Sequence, residues 1–308
     1  MADFLENPKI AKLYKDVPPE QLEPYRLFRS EHAFKHVTLD GVTWAYYDLG
    51  SGPETRLTLT GALAIPYFDW HHLLHFAQTH RVIAPCYPAV DTMDALCDGL
   101  AGILRHEGIK RAHVQGGSYG GFVAQIFVRR YPEMTASLVL SHTQPTYPND
   151  EGTVKLQRML RWAKLLPAGA LRWLMDLSLS RLMPEKTPDV ALMLAIYAEL
   201  LRYRLTKADI LSILARTVDY ESHRFTPDDL ADWPGRILLM MTENDRTTPS
   251  EVRGEFKRLY PQAQVHLFEG TGHVTSWEQA EAYRAVINDF LNGLRQPPVA
   301  PELNGGAA

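Results

Sequence analysis

The chain has 308 residues, 45% of them hydrophobic, with 32 Lys and Arg against 36 Asp and Glu for a formal charge of −4. That apolar content excludes a mainly disordered chain, and the charge balance lacks the basic excess of a nucleic-acid binder. Two cysteines, Cys86 and Cys97, are too few for a disulfide scaffold, so a reducing, cytoplasmic compartment is expected.

The opening residues lack a signal-peptide run. Residues 1–33 are polar and carry Pro18, Pro19 and Pro24; they read as an arm with one short helix over 7–15. Segments 34–40 and 42–48 flank Asp40-Gly41, a hairpin turn pair. Short apolar runs follow at 56–60, 81–85, 112–115, 137–141, 237–242 and 264–268, suited to parallel strands buried on both faces. Helical periodicity lies between them at 67–78, 91–106, 122–130 and 278–294. Asp91 reads as the cap of the second of these, and Thr248-Pro249-Ser250-Glu251 as a capping box opening another helix. Strands alternating with helices imply an α/β fold, a mostly parallel doubly wound sheet led by an antiparallel hairpin.

One stretch breaks the alternation. Residues 146–226 carry helical pattern and helix starts at Thr187-Pro188-Asp189 and Thr226-Pro227-Asp228-Asp229, but no strand. They read as a helical cap set into the sheet. The expected organisation is therefore an arm at 1–33, a core at 34–145 and 227–294, the cap at 146–226 and a tail at 295–308. The longest apolar run, from Val190 to Leu201, is broken by Glu199 and is too short to span a membrane. The first half of the cap is basic, with Lys155, Arg158, Arg161, Lys164, Arg172 and Arg181, and interleaves Trp162 and Trp173 with leucines. An apolar face covering the site beneath a solvated basic face accounts for this pattern. Membrane contact is not expected, and a homodimer is left open.

Chemistry concentrates at Gly116-Gly117-Ser118-Tyr119-Gly120-Gly121, between an apolar strand and an apolar-periodic helix. That context is what a G-x-S-x-G nucleophile elbow requires. The turn would lift the Ser118 hydroxyl above the sheet and aim the Tyr119 N–H at a developing oxyanion. Serine needs a base. His273, in Gly270-Thr271-Gly272-His273-Val274 after the last strand, is the candidate. Asp245, after the run at 237–242, is the candidate acid that orients it, with Glu243 as the substitute. The order Ser118, Asp245, His273 is that of α/β-hydrolases. The second oxyanion donor is expected from Thr60-Gly61-Ala62-Leu63-Ala64, at the Ala62 N–H with Leu63 next. Leu63, Tyr67, His142 and Trp162 are the expected substrate contacts. His71, His72 and His75 share a helix but lack H-E-x-x-H, so no metal is expected; no cofactor is expected either.

With these residues in view, the chain resembles the α/β-hydrolase superfamily over 34–294. Arg81-Val82-Ile83-Ala84-Pro85-Cys86-Tyr87-Pro88, Cys97-Asp98-Gly99-Leu100 and the elbow through Gln125 resemble the maspardin-like branch and its bacterial relatives. Maspardin is a binding protein with a degraded histidine position, whereas Gly272-His273 is intact here. The elbow also resembles prolyl iminopeptidases, without their His-Gly-Gly-Pro-Gly segment. The resemblance implies a carboxylesterase-like serine hydrolase acting on an ester, thioester or amide of a small, largely apolar molecule. C–C bond hydrolysis, an iminopeptidase-like activity and a non-catalytic binding protein are the alternatives.

Overall fold

The computed structural model describes residues 3–146, 150–184 and 187–295. Two helices precede the sheet, α1 (Pro8–Tyr14) and α2 (Pro19–Glu31), each with proline in its first turn, where no N–H is needed. The expected single helix is thus joined by a second, which tolerates Pro24 in its interior. The arm is not loose. Ile10, Tyr14, Tyr25 and Phe28 are buried, and the Tyr14 hydroxyl donates to Glu199 Oε2 at 2.7 Å. No local pattern announces such a contact, made across 185 positions of sequence.

The sheet has eight strands: β1 (Lys35–Leu39), β2 (Val42–Leu49), β3 (Thr55–Leu59), β4 (Arg81–Pro85), β5 (Ala112–Gly117), β6 (Thr135–Ser141), β7 (Arg236–Thr242) and β8 (Gln264–Phe268), in the order β1-β2-β4-β3-β5-β6-β7-β8. The first two pair antiparallel through Asp40 and Gly41, whose φ values of 49° and 80° meet the two-residue hairpin's need for positive φ at both positions. β2 also runs antiparallel to β4, and all later pairs are parallel. The central strands are buried almost throughout, as continuous apolar runs require when helices cover both faces.

Those helices are α3 (Trp70–Ala77), α4 (Met93–His106), α5 (Tyr119–Arg130), α10 (Ser250–Leu259), α11 (Thr275–Glu278) and α12 (Ala280–Arg295). Two caps differ from expectation. α4 is capped by Thr92, which accepts from the Ala95 N–H at 3.1 Å, rather than by Asp91. α10 has Pro249 at its cap with no side-chain bond, and the buried Thr248 hydroxyl finds no partner, so that capping box does not form. Between β6 and β7 lie α6 (Asp150–Leu165), α7 (Ala168–Leu179), α8 (Val190–Glu199) and α9 (Lys207–Tyr220). No strand occurs there among the described residues. From α9, buried Arg216 reaches the core: its Nε–H donates to the Tyr119 hydroxyl at 2.7 Å and its Nη1 to the Pro88 and Val90 carbonyls, each at 2.9 Å. No helix among the described residues is long and apolar enough to cross a membrane. The expected tail beyond Arg295 lies outside the described residues.

Candidate active site

Ser118 sits between β5 and α5 with φ 51° and ψ −124°, a conformation that a side-chain-bearing residue adopts only when its surroundings impose it. The two glycines of the elbow show what imposes it. A Cβ on Gly116 would overlap the Gly120 carbonyl, and one on Gly120 would overlap the Leu59 and Thr60 carbonyls. Strand, turn and helix therefore pack backbone to backbone. The turn is pinned by the Ser118 N–H donating to the Ser141 carbonyl at 2.9 Å and the Thr143 hydroxyl donating to the Ser118 carbonyl at 2.8 Å.

His273 Nε2 lies 2.9 Å from Ser118 Oγ, and His273 Nδ1 lies 2.9 Å from Asp245 Oδ2. A carboxylate only accepts, so Nδ1 carries the proton and Nε2 presents a lone pair to the serine hydroxyl. The other oxygen, Asp245 Oδ1, accepts from the Thr247 N–H at 2.8 Å and the Thr247 hydroxyl at 2.7 Å. Burial alone would raise the Asp245 carboxyl; the His273 hydrogen bond and charge, with the Thr247 donors, outweigh it and bring the pKa to about 2. Glu243 is exposed and hydrogen-bonds neither His273 nor Ser118, so the structure brings Asp245 and not Glu243 to the histidine.

The loop that carries His273 is held from several sides. The Thr275 hydroxyl donates to the Gly272 carbonyl at 3.0 Å, and Thr242 Oγ1 donates to the Thr271 carbonyl at 2.8 Å. Since the Thr275 proton is spent, His142 Nε2, 2.8 Å away, must be the donor to it, and His142 Nδ1 accepts from Ser141 Oγ at 2.7 Å. Burial, with the neighbouring His273, holds His142 neutral with a pKa of about 3. Both ring nitrogens of this expected substrate contact are therefore engaged in scaffolding, and it offers the cavity only a ring face.

The loop expected to supply the second oxyanion donor is a turn closed by the Ala64 N–H donating to the Gly61 carbonyl at 3.0 Å, with Ala64 at φ 59°. Among the described residues the Ala62 and Leu63 N–H groups have no protein acceptor, and Tyr119 opens α5, where N–H groups lack helical partners. The sequence reading missed what holds this loop. Tyr87 donates its hydroxyl to the Thr60 carbonyl at 2.8 Å and its N–H to the Ala64 carbonyl at 2.9 Å, and so clamps both ends. Its signal was present as the Tyr87-Pro88 pair, read only as a resemblance.

A cavity of about 130 Å³ opens over Ser118 and His273, enough for on the order of ten water-sized groups. Leu179, Leu182, Met183 and Tyr197 from the inserted helices, with Phe68 and Val274, form its apolar side. Thr58, Thr60, Asp69, His72, Gln115 and Tyr283 form its polar side. Leu63 and Ala62 line it as expected. Two other expected contacts do not. Tyr67 is buried against the arm, its hydroxyl 3.4 Å from Glu199 and its ring beneath the Arg29 guanidinium. Trp162 is 71% exposed on α6, amid exposed Leu165 and Trp173 on the outside of the insertion. Helical periodicity marks an apolar stripe but does not say which surface the stripe faces.

A family model described as the alpha/beta hydrolase family matches residues 59–286. A 2-hydroxy-6-oxononadienedioate/2-hydroxy-6-oxononatrienedioate hydrolase from Burkholderia vietnamiensis is 28% identical over 273 residues, which cover 80% of this chain and 90% of that protein. A 2-hydroxy-6-oxo-6-phenylhexa-2,4-dienoate hydrolase from Burkholderia cepacia is 25% identical over 226 residues, 70% of this chain and 78% of its own. Among solved structures, a thermophilic esterase from Thermogutta terrifontis superposes with a TM-score of 0.69 at 22% identity, covering 86% of this chain and 100% of its own. A meta-cleavage product hydrolase from Pseudomonas fluorescens gives 0.64 at 21%, covering 84% and 97%. With its elbow and sheet order, and a match that spans most of its length, the chain belongs to the alpha/beta hydrolase family.

Proposed function

We propose that the protein is a serine hydrolase in which Ser118 attacks a carbonyl carbon. The observation that carries this reading is the unbroken chain Ser118–His273–Asp245, with both links at 2.9 Å, at a cavity that both Ser118 and His273 line. His273 Nε2 takes the Ser118 proton as the Oγ–carbon bond forms. The carbonyl electron pair moves onto oxygen, where the N–H groups of Tyr119 and of Ala62 or Leu63 receive it. As that pair returns, the bond to the leaving group breaks, and the leaving group takes the proton from His273. Water, deprotonated by the same histidine, then releases the acyl group from Ser118.

The names of the relatives support a carbon leaving group. Carbon departs with an electron pair only when a second carbonyl, conjugated to it, accepts that pair. The substrate class is therefore a ketone with a second, conjugated carbonyl. Ester, thioester or amide cleavage is the second reading, favoured by one observation: among the described residues no Lys or Arg lines the cavity to meet the carboxylates that those relatives' substrate names contain. The test runs a neutral vinylogous diketone beside a chain-length series of p-nitrophenyl esters, with Ser118→Ala as control. Faster diketone loss in the wild type supports C–C cleavage, and turnover of esters alone favours the second reading. Full activity in Ser118→Ala, or failure of a fluorophosphonate to label Ser118, overturns both and leaves the binding-protein alternative.

A further inference from the structure

The cavity contains a carboxylate that the triad does not use. Asp69 stands immediately before α3, at the position of a helix cap, yet makes no capping hydrogen bond. It lines the cavity beside Thr60 instead, and forms no ion pair among the described residues. It is partly buried, and an unpaired carboxylate is costly in such a place unless something meets it. Burial, only partly offset by Thr60, pushes its pKa up to about 7.

Among the described residues, the groups around it supply no counter-charge. On α3, His72 donates from Nε2 to the Ser276 carbonyl at 2.8 Å, and burial first, then neighbouring His71, hold it well below the usual histidine range and neutral. Tyr87, from the loop after β4, and Tyr283, from α12, both feel the Asp69 charge; burial raises their phenols, which stay protonated. His142 is neutral, and His273 is committed to Asp245. Arg56 on β3 is buried, but its guanidinium is hydrogen-bonded to Gln115 Oε1 and stacked 3.6 Å from the centre of the Phe76 ring, and it does not line the cavity. Above about pH 7 the charge that the described lining presents to a ligand is therefore the negative charge of Asp69, in a cavity lined also by the apolar Leu179, Leu182 and Met183.

We propose that Asp69 is the specificity-determining residue of this cavity, receiving a primary ammonium group at one end of a short, otherwise apolar substrate and turning carboxylates away. The inference rests on the reading of Ser118 as nucleophile and adds to it a substrate class. Specificity of this kind works by both arms, an ion pair for the amine and repulsion for the acid.

The test measures protection of Ser118 from a fluorophosphonate by pentylamine and by pentanoate, two small probes of similar length, near pH 8. In the wild type, half-protection by pentylamine is expected at a concentration at least about tenfold below that for pentanoate, and in Asp69→Asn the two converge to within about twofold. Asp69→Glu should retain the preference, and Asp69→Ser serves in place of the amide should that variant not fold. The preference of the wild type should also weaken as pH falls through about 7, as Asp69 takes up its proton. The same ratio in wild type and Asp69→Asn, a preference for pentanoate, or no protection by either overturns the proposal while leaving the nucleophile reading intact. Failure to label wild-type Ser118 refutes that reading and this proposal with it.

Discussion

Asp245→Asn tests the site through its tautomers. In the wild type, Asp245 Oδ1 faces two donors of Thr247 and Oδ2 faces His273 Nδ1–H. An asparagine has one acceptor oxygen, and the two Thr247 donors claim it. Its NH2 must then face His273, which can accept only by moving its proton to Nε2, so that Ser118 Oγ meets a donor instead of a base. Turning the amide over to restore the tautomer opposes NH2 to both Thr247 donors, at a cost of about 2 kcal/mol. Loss of the carboxylate charge removes about 4 kcal/mol of imidazolium stabilisation at roughly 4 Å and an effective dielectric constant near 20. Together these give about 6 kcal/mol, or roughly 10⁴-fold in rate. The assay is kcat/KM on any ester the wild type turns over, with the fluorophosphonate labelling rate as a second readout. Glu243→Gln, on an exposed side chain, is expected within about twofold of wild type. An Asp245→Asn enzyme within tenfold of wild type, or a larger loss in Glu243→Gln, would refute the tautomer argument.

Tyr87→Phe removes the donor to the Thr60 carbonyl but keeps the backbone bond to Ala64; it should cost about 1–2 kcal/mol of stability and lower kcat by about tenfold with KM less affected, and an unchanged kcat would show that the oxyanion loop holds its shape without it. Glu199→Ala strands buried Tyr14 and the largely buried Arg29, which meet the more exposed Arg204 on this carboxylate; a loss of about 3–5 kcal/mol in denaturant unfolding is expected, and a loss under 1 kcal/mol would mean the arm docks by apolar contact alone. Asp69 sets a pH slope. Its folded pKa is raised from 3.8 to about 7, so the native state keeps a proton the unfolded chain has lost, and stability falls as pH rises from about 4 to 7. The total is up to about 4 kcal/mol; Asp69→Asn should flatten this slope, and equal slopes in the two proteins would exclude Asp69 as its source. Asp245 acts in the opposite sense and over another window, because its depressed pKa contributes stability above 3.8 that is lost as pH falls toward about 2.

The elbow, the hairpin turn and the chain order of Ser118, Asp245 and His273 were legible because each rests on local geometry or chain order. Gly116 and Gly120 are demanded by backbone contacts within a few residues, and Asp40-Gly41 by two positive φ values in one turn. Asp245 and His273 follow consecutive strands of a parallel sheet, whose carboxyl ends lie side by side whatever their separation in sequence. Helix caps were legible only to within a residue or two, since Thr92 and Asp91 compete for one position and Pro249 displaces Thr248.

The remainder was decided by contacts between distant elements. Tyr67 and Trp162 carry the same aromatic pattern as true lining residues, but one turns to the arm through Glu199 and the other to solvent. The second arm helix gains its burial from packing that no periodicity announces. Asp69 lies in sequence within the helical pattern at 67–78, with nothing to mark it, and becomes a cavity carboxylate only because Thr60, Tyr87 and Tyr283 come near it from separate parts of the chain. Sequence by itself determined the fold and the three side chains that meet at the site, because turn geometry is local and chain order places the strand ends side by side. Which residues line the cavity was decided by the tertiary structure, because burial and the pairing of charges are properties of the assembled walls and of no single segment.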